Sequence, residues 1–281
     1  MVSVRSKLVV LMIALFAVLA LPAFAQDAEI PQITVELTGD GIALSGDVPE
    51  GVVSVTLDNN SAGAFTPVFA RFVEGATVDD FMSAIEQDMF GALALVSLLG
   101  GADVQAGLET TATFDFAPGD YILLDFASQS MQHVLFTVAD AEGEGAADPE
   151  ADVTVRLFDF AFSLPLELSA GEQTWLIENQ GMQWHELGIA RIDPAVTVED
   201  YQALLQQMAT GVAPEDEAEA GVEPVFFWLP MNEGERAWVT LDLEPGTYVV
   251  ACFLPDMLGE LTGEPGHAHA ELGMVNIITV Q

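Results

Sequence analysis

The chain has 281 residues, of which 44 are Asp or Glu and six are Lys or Arg, for a formal net charge of −38. Such a surface has almost no cations to replace the counterions of a phosphate backbone or of anionic lipid heads, so charge argues against nucleic-acid and membrane-surface roles. The same field attracts cations or a basic protein partner, and it also keeps the surface solvated.

Arg5 and Lys7 precede an apolar run from Leu8 to Leu21 and the small-residue triplet Ala23-Phe24-Ala25. This start reads as a secretory signal peptide over residues 1–25, cut after Ala25. As a helix the run is too short for a hydrocarbon core of roughly 30 Å, and no Cys follows to accept a lipid. The expected product is a secreted, periplasmic or cell-surface protein with no membrane insertion after cleavage. Cys252 is the only cysteine, so no internal disulfide is available, and the thiol is either a buried apolar residue or a soft-metal ligand.

The rest of the chain repeats itself. Residues 33–80 match residues 153–200 without a gap at an offset of 120, with identities at Leu37/Leu157, Gly51/Gly171, Asn59/Asn179 and Ala70-Arg71/Ala190-Arg191. Further on, Thr113 to Tyr121 match Thr240 to Tyr248, and Leu135 to Val138 match Ile277 to Val280. Two copies of one unit are expected, over residues 27–138 and 153–281, joined by an acidic linker over 139–152. Short stretches rich in Val, Ile, Leu and aromatics read as strands, among them 153–157, 174–179, 237–243, 248–254 and 275–280. Pro118-Gly119 and Pro245-Gly246 are predicted to join hairpins. Thr77 and Thr197 each stand three residues before an acid, the capping-box spacing, so one helix is predicted in each unit. Ala213 to Pro224 reads as an acidic loop inserted only in the second unit. Many short strands with local turns predict an all-β chain of antiparallel sandwiches.

Four residue types in the second unit stand in a fixed order: His185 at a strand start, Cys252 at a strand end, then His269, then Met274 at the start of the last strand. With Asn179-Gln-Gly-Met-Gln-Trp-His185, Pro245-Gly-Thr-Tyr-Val-Val-Ala-Cys252 and His269-Ala-Glu-Leu-Gly-Met274, this order resembles the cupredoxin copper site. The resemblance implies two tandem Greek-key β-sandwiches, each with one helical insertion. It also implies one copper ion in the second, held by His185, Cys252 and His269 with Met274 as a weak axial ligand. Such a protein carries single electrons or holds the ion, and a redox or basic protein is the partner implied.

Two features depart from the family pattern. Sixteen residues separate Cys252 from His269, a stretch that could fold as a flap and return His269, and Glu186 replaces the Asn often seen after the first His. His267, two residues before His269, is the rival ligand; it follows Pro265-Gly266, a turn pair that aims it at solvent. In the first unit Phe65 and Asp125 stand at the positions of His185 and Cys252, and His133 reads as an ordinary strand residue, so no metal is expected there. No paired carboxylates, Ser-His-Asp set or Gly-rich phosphate loop points to a catalyst, and a single His-x-His pair does not supply a multicopper oxidase. The competing reading is a metal-free structural or binding sandwich pair with a vestigial site.

Overall fold

A computed structural model describes residues 29–126, 131–140, 145–209, 221–259 and 266–281. The expected signal peptide lies outside them, as do residues 141–144 of the linker and 213–220 of the acidic insertion. Among the described residues no helix is long and apolar enough to cross a membrane.

In the first half the chain runs through β1 (Gln32–Thr38), β2 (Gly41–Leu44), β3 (Gly51–Asn59), β4 (Pro67–Phe72), α1 (Val78–Ile85), α2 (Met89–Leu93), β5 (Val96–Gly100), β6 (Glu109–Phe116), β7 (Gly119–Asp125) and β8 (His133–Val138). In the second half it runs through β9 (Val153–Phe158), β10 (Ala161–Ser163), β11 (Glu167–Leu168), β12 (Gly171–Asn179), β13 (His185–Ile192), α3 (Val198–Ala209), β14 (Val222–Met231), β15 (Arg236–Leu243), β16 (Gly246–Ala251) and β17 (Val275–Val280). The protein is thus mostly β, in two sheets, an arrangement consistent with cupredoxin-like β-sandwiches.

Both sheets run through both repeats. The eight-stranded sheet has the order β10-β9-β12-β15-β6-β3-β1-β2, and the nine-stranded sheet β11-β17-β16-β13-β14-β5-β4-β7-β8. Equivalent strands meet in the middle of each: β15 pairs antiparallel with β6 and β14 with β5. In the first of these joints Val239 faces Ala112, which are equivalent positions of the two repeats, so the repeats are related by a pseudo-twofold axis beside that pair. The strands alternate as a half-buried ladder demands; β1, for example, buries Ile33, Val35 and Leu37 between exposed or half-buried neighbours. One continuous core lies between the sheets, with Val35, Leu57, Phe69 and Phe114 from one repeat and Val155, Trp175, Leu187 and Trp228 from the other. Each such buried side chain contributes on the order of 1.5–3 kcal/mol relative to exposure. A second core lies around Phe81 of α1, and a third around Tyr201 of α3.

Several expectations are corrected. Pro118-Gly119 and Pro245-Gly246 do not close hairpins: β6 and β15 lie in one sheet, β7 and β16 in the other, so each Pro-Gly carries the chain across the sandwich. Each crossing is braced by a tyrosine hydroxyl, Tyr121 donating to the Ala117 carbonyl and Tyr248 to that of Glu244, both at 2.8 Å. The sandwich is not wholly antiparallel either. After a hairpin β1–β2, β3 returns beside β1 in parallel, and β12 does the same beside β9. The strand expected over 248–254 ends at Ala251, and Val222 to Pro224, expected in the acidic loop, already pair with Ile192 to Ala190 of β13. Thr77 and Thr197 do cap α1 and α3, each hydroxyl accepting the N–H of the acid three residues on.

Candidate metal centre

The sheet brings the candidate ligands to one end of three neighbouring strands. His185 opens β13; Cys252 follows the last residue of β16, whose Ala251 faces Gly188 of β13; Met274 immediately precedes β17, on the other side of β16. His269 comes from the long connection between β16 and β17. That connection is pinched at its base: Pro255 bridges to Ala268, the Asp256 N–H donates to the His267 carbonyl at 2.7 Å, and the Gly266 N–H to the Asp256 carbonyl at 2.9 Å. The His269 N–H donates to Leu254, the Met274 N–H to His269 and the Cys252 N–H to Met274. The sixteen intervening residues therefore leave His269 close to Cys252, because the connection is closed at its base by the contacts of Pro255 and Asp256 with Gly266, His267 and Ala268.

Cys252 Sγ lies 3.4 Å from His269 Nδ1 and 3.9 Å from His185 Nδ1, and the two Nδ1 atoms are 3.1 Å apart. All three side chains have no exposed surface, nor has Met274. Among the described residues, this is the one group of three His, Cys, Asp or Glu side chains whose donor atoms lie within 4.8 Å of one another. His267 stands apart, about half exposed, with Nδ1 3.5 Å from Glu271.

The surroundings set the protonation states. Burial, reinforced by the charge of Glu186, pushes the Cys252 thiol far above its ordinary range, so without a cation it stays a thiol. Burial and the neighbouring His185 pull His269 down to about 4, and burial lowers His185 as well, against the attraction of Asp159. Both imidazoles are therefore neutral near pH 7, with a ring lone pair available. His185 Nε2 sits 3.0 Å from Asp159 Oδ1, whereas the buried Nε2 of His269 has no hydrogen-bond partner. The Asp159 carboxyl would be raised by its own burial, but the N–H groups of Gln183 and Met182 and the His185 ring hold it below its usual value.

Glu186 takes up the place expected of an amide: its Oε1 accepts the Phe253 N–H at 2.9 Å, tying the residue after His185 to the residue after Cys252. Burial is the main cause that raises this carboxyl to about 7. In the first repeat Phe65 is buried and bridges to Val104, and buried Asp125 accepts the Thr66 N–H at 2.8 Å. His133 is the exposed first residue of β8. Asp159 and Asp256, which stand beside the ligands, belong to no motif, and Gln183 lies within the segment 179–185 without being singled out there; the one trace of Asp159 in the sequence is that the first repeat carries Gly39 at the matching position.

One thiol and two neutral imidazoles, closed off from water, form a donor group that suits copper in either oxidation state. No protein-family model matches the chain, and no curated protein does. The solved structures to which it is similar include a reduced auracyanin from the photosynthetic bacterium Roseiflexus castenholzii, 16% identical over 46% of this chain and 94% of that one, with a TM-score of 0.30. Auracyanin A, a "blue" copper protein of Chloroflexus aurantiacus, is 18% identical over 46% and 96%, with a TM-score of 0.28. The blue copper oxidase of Nitrosomonas europaea is 14% identical over 90% and 86%, with a TM-score of 0.24. The chain's structural neighbours are cupredoxins, matched over about half its length, and multicopper oxidases, matched over nearly all of it.

Proposed function

We propose that the chain is an exported copper protein of two tandem cupredoxin-like units, residues 27–138 and 153–281 around the linker 139–152, in which the second unit alone holds one copper ion. The observation that carries this reading is the convergence of Cys252 Sγ and the Nδ1 atoms of His185 and His269 within 4.8 Å in a fully buried place. His185, Cys252 and His269 would hold the ion, with Met274 beside them as the weak fourth donor. Bound there, copper would supply reversible one-electron transfer.

The chain's own groups serve that role. The neutral imidazoles offer lone pairs without first losing a charge. The thiol, held protonated by burial, gives up its proton only to a cation. Backbone bonds from Cys252 to Met274, from Met274 to His269 and from His269 to Leu254 fix the loop, so the donors need little movement between oxidation states. With Met274 completing the set, the ion would have no open position for a substrate, so the role proposed is electron carriage or copper holding. The strongly negative surface suits a basic or redox protein as partner. The tripartite start over residues 1–25 supports secretion or a periplasmic or cell-surface location.

The test is to add copper(II) to the purified full-length protein. An intense visible thiolate-to-copper absorption at one ion per chain is the expected result. A colourless protein that takes up no copper would overturn the reading in favour of a metal-free sandwich.

A further inference from the structure

β9 and β10 form a hairpin closed by Phe158 opposite Ala161, so its turn has two residues, Asp159 and Phe160. Each touches one of the two histidines. Asp159 Oδ1 lies 3.0 Å from His185 Nε2, and the ring of Phe160 meets that of His269 edge-on, at 5.2 Å between centroids and 82° between planes. The carboxylate is held in place from the other side, Oδ1 accepting the Gln183 N–H and Oδ2 the Met182 N–H, both at 3.1 Å.

Local chemistry does not favour this turn. Phe160 has φ +63°, in the left-handed region where a bulky side chain is seldom found, and it is one of two non-glycine residues so placed among those described. The close approach of Asp159 to His185 also depends on Gly181, where a Cβ would lie 2.5 Å from both Asp159 Oδ1 and His185 Nε2.

The first repeat provides an internal control. At the offset of 120, Asp159 and Phe160 correspond to Gly39 and Asp40, both ordinary turn formers, and Gly181 corresponds to Ser61. His185 corresponds there to Phe65. Where no histidine has to be reached, the turn has easy residues and the glycine is gone. Where the histidine pair is present, three positions change together to reach it, at a conformational cost.

We propose that the Asp159–Phe160 turn is a cap that positions the histidine pair for the metal, Asp159 selecting the tautomer of His185 and Phe160 sealing His269 from solvent. A carboxylate that accepts a hydrogen bond from Nε2 holds the ring proton on that nitrogen, which leaves Nδ1 bare and facing Cys252 Sγ. His269 has no such partner, so its Nε2 depends on the aromatic edge to keep water away.

The inference rests on the copper reading but is tested first without copper. Imidazole ¹⁵N spectra of the metal-free full-length protein at pH 7.5 should show His185 as the single tautomer with hydrogen on Nε2, and Asp159→Ala should lose that preference. Copper(II) binding in Asp159→Ala should weaken about 10- to 100-fold, the usual effect of losing an outer partner of a metal-bound imidazole. Asp159→Asn, which keeps an acceptor and the shape of the turn, should keep the tautomer yet weaken copper(II) binding, and it serves if the alanine variant does not fold. Phe160→Gly should melt no lower than wild type, because glycine accepts the left-handed φ, yet release copper to a chelator faster. An unchanged tautomer in Asp159→Ala overturns the cap. So does a folded Asp159→Asn that has lost the tautomer, or a Phe160→Gly that keeps its copper as long as wild type. A wild type that binds no copper overturns the functional reading instead, and the tautomer result then still decides what Asp159 does.

Discussion

Gln183 and Asp256 meet inside the protein, the amide Nε2 of the first donating to the carboxylate Oδ1 of the second at 3.1 Å. Gln183 stands two residues before His185, and Asp256 stands in the neck of the loop that returns His269, so this contact fastens one ligand-bearing segment to the other. The same carboxylate oxygen accepts the N–H groups of Leu258 and Gly259, and Gln183 Oε1 accepts that of Met257. Asp256→Ala would leave Gln183 Nε2 and the N–H groups of Leu258 and Gly259 without this acceptor, at about 1–3 kcal/mol for each that water cannot reach. We expect a loss of about 2–4 kcal/mol in urea unfolding and much faster copper release to a chelator. Wild-type behaviour in both measurements would show that the loop holds its shape without the carboxylate.

Copper uptake should release protons in a number set by the donor states. Cys252 is a thiol near pH 7 because burial raises it, whereas His185 and His269 are already neutral because burial lowers them. At pH 7.5 about one proton should therefore leave per copper(II) bound. Calorimetry in buffers of different ionisation enthalpy measures the number. A value near zero would remove Cys252 from the ligand set.

Much of this was legible in the sequence, though unevenly. Alternation and the offset of 120 residues give most strands of both repeats, and Thr77 and Thr197 mark two helix starts, because these signals are local. Pro118-Gly119 and Pro245-Gly246 signal a turn, but nothing nearby says whether the next strand stays in its sheet or crosses to the other; Tyr121 and Tyr248 carry that information in hydrogen bonds to residues four positions back. The fusion of the repeats through β6 and β15 is invisible because edge-to-edge pairing leaves no periodic trace. The order His185, Cys252, His269, Met274 locates the candidate site. It does not reveal the neck formed by Pro255, Asp256 and Ala268, whose partners are far apart in sequence.

The joint between repeats depends on a glycine. Gly100, at φ +87°, ends β5 where Trp228 of β14 packs, and a Cβ there would fall 2.3 Å from Trp228 Nε1. Gly100→Ala combines a left-handed φ with a collision in the core, and should destabilise by about 2–4 kcal/mol. Gly107→Ala, also left-handed but with open space around it, should cost only the first of these terms, about 1–2 kcal/mol. Equal losses in thermal or urea unfolding would mean that the Trp228 contact does not constrain the joint.

Glu235 spans the same joint, its Oε1 accepting the Ser97 hydroxyl at 2.7 Å. Burial is the main cause that raises its carboxyl above the ordinary value of 4.5, against the hydrogen bond from Ser97 and the charge of Arg71. A carboxyl raised in the folded state contributes stability that is fully present below its unfolded pKa and is lost as pH rises through the folded one. Glu235→Gln keeps an acceptor for Ser97 and cannot ionise. It should therefore melt higher than wild type at pH 8, with the difference shrinking as pH falls toward 4.5. A difference that grows on acidification would reverse the assignment.

The decisive pair of variants separates His269 from His267. The two lie two residues apart in the same loop, and both belong to the one His-x-His pair of the chain. His269 has no exposed surface and turns Nδ1 to within 3.4 Å of Cys252 Sγ; its N–H is held by Leu254 and its carbonyl by Met274. The His267 side chain is about half exposed, and its Nδ1 faces Glu271 across 3.5 Å, a surface contact worth little. Losing an equatorial imidazole changes the geometry on which an intense thiolate-to-copper absorption depends, whereas losing a surface imidazole does not. Under identical copper loading, His269→Ala should lose the strong visible band, and His267→Ala should keep it with nearly unchanged intensity. The alanine at 269 also leaves a buried void, so circular dichroism must show that the variant is folded before its colour is read; His269→Gln, which fills more of the space, repeats the test if it is not. A folded His269→Ala with the wild-type spectrum would remove His269 from the site, and loss of the band in His267→Ala alone would hand its place to His267.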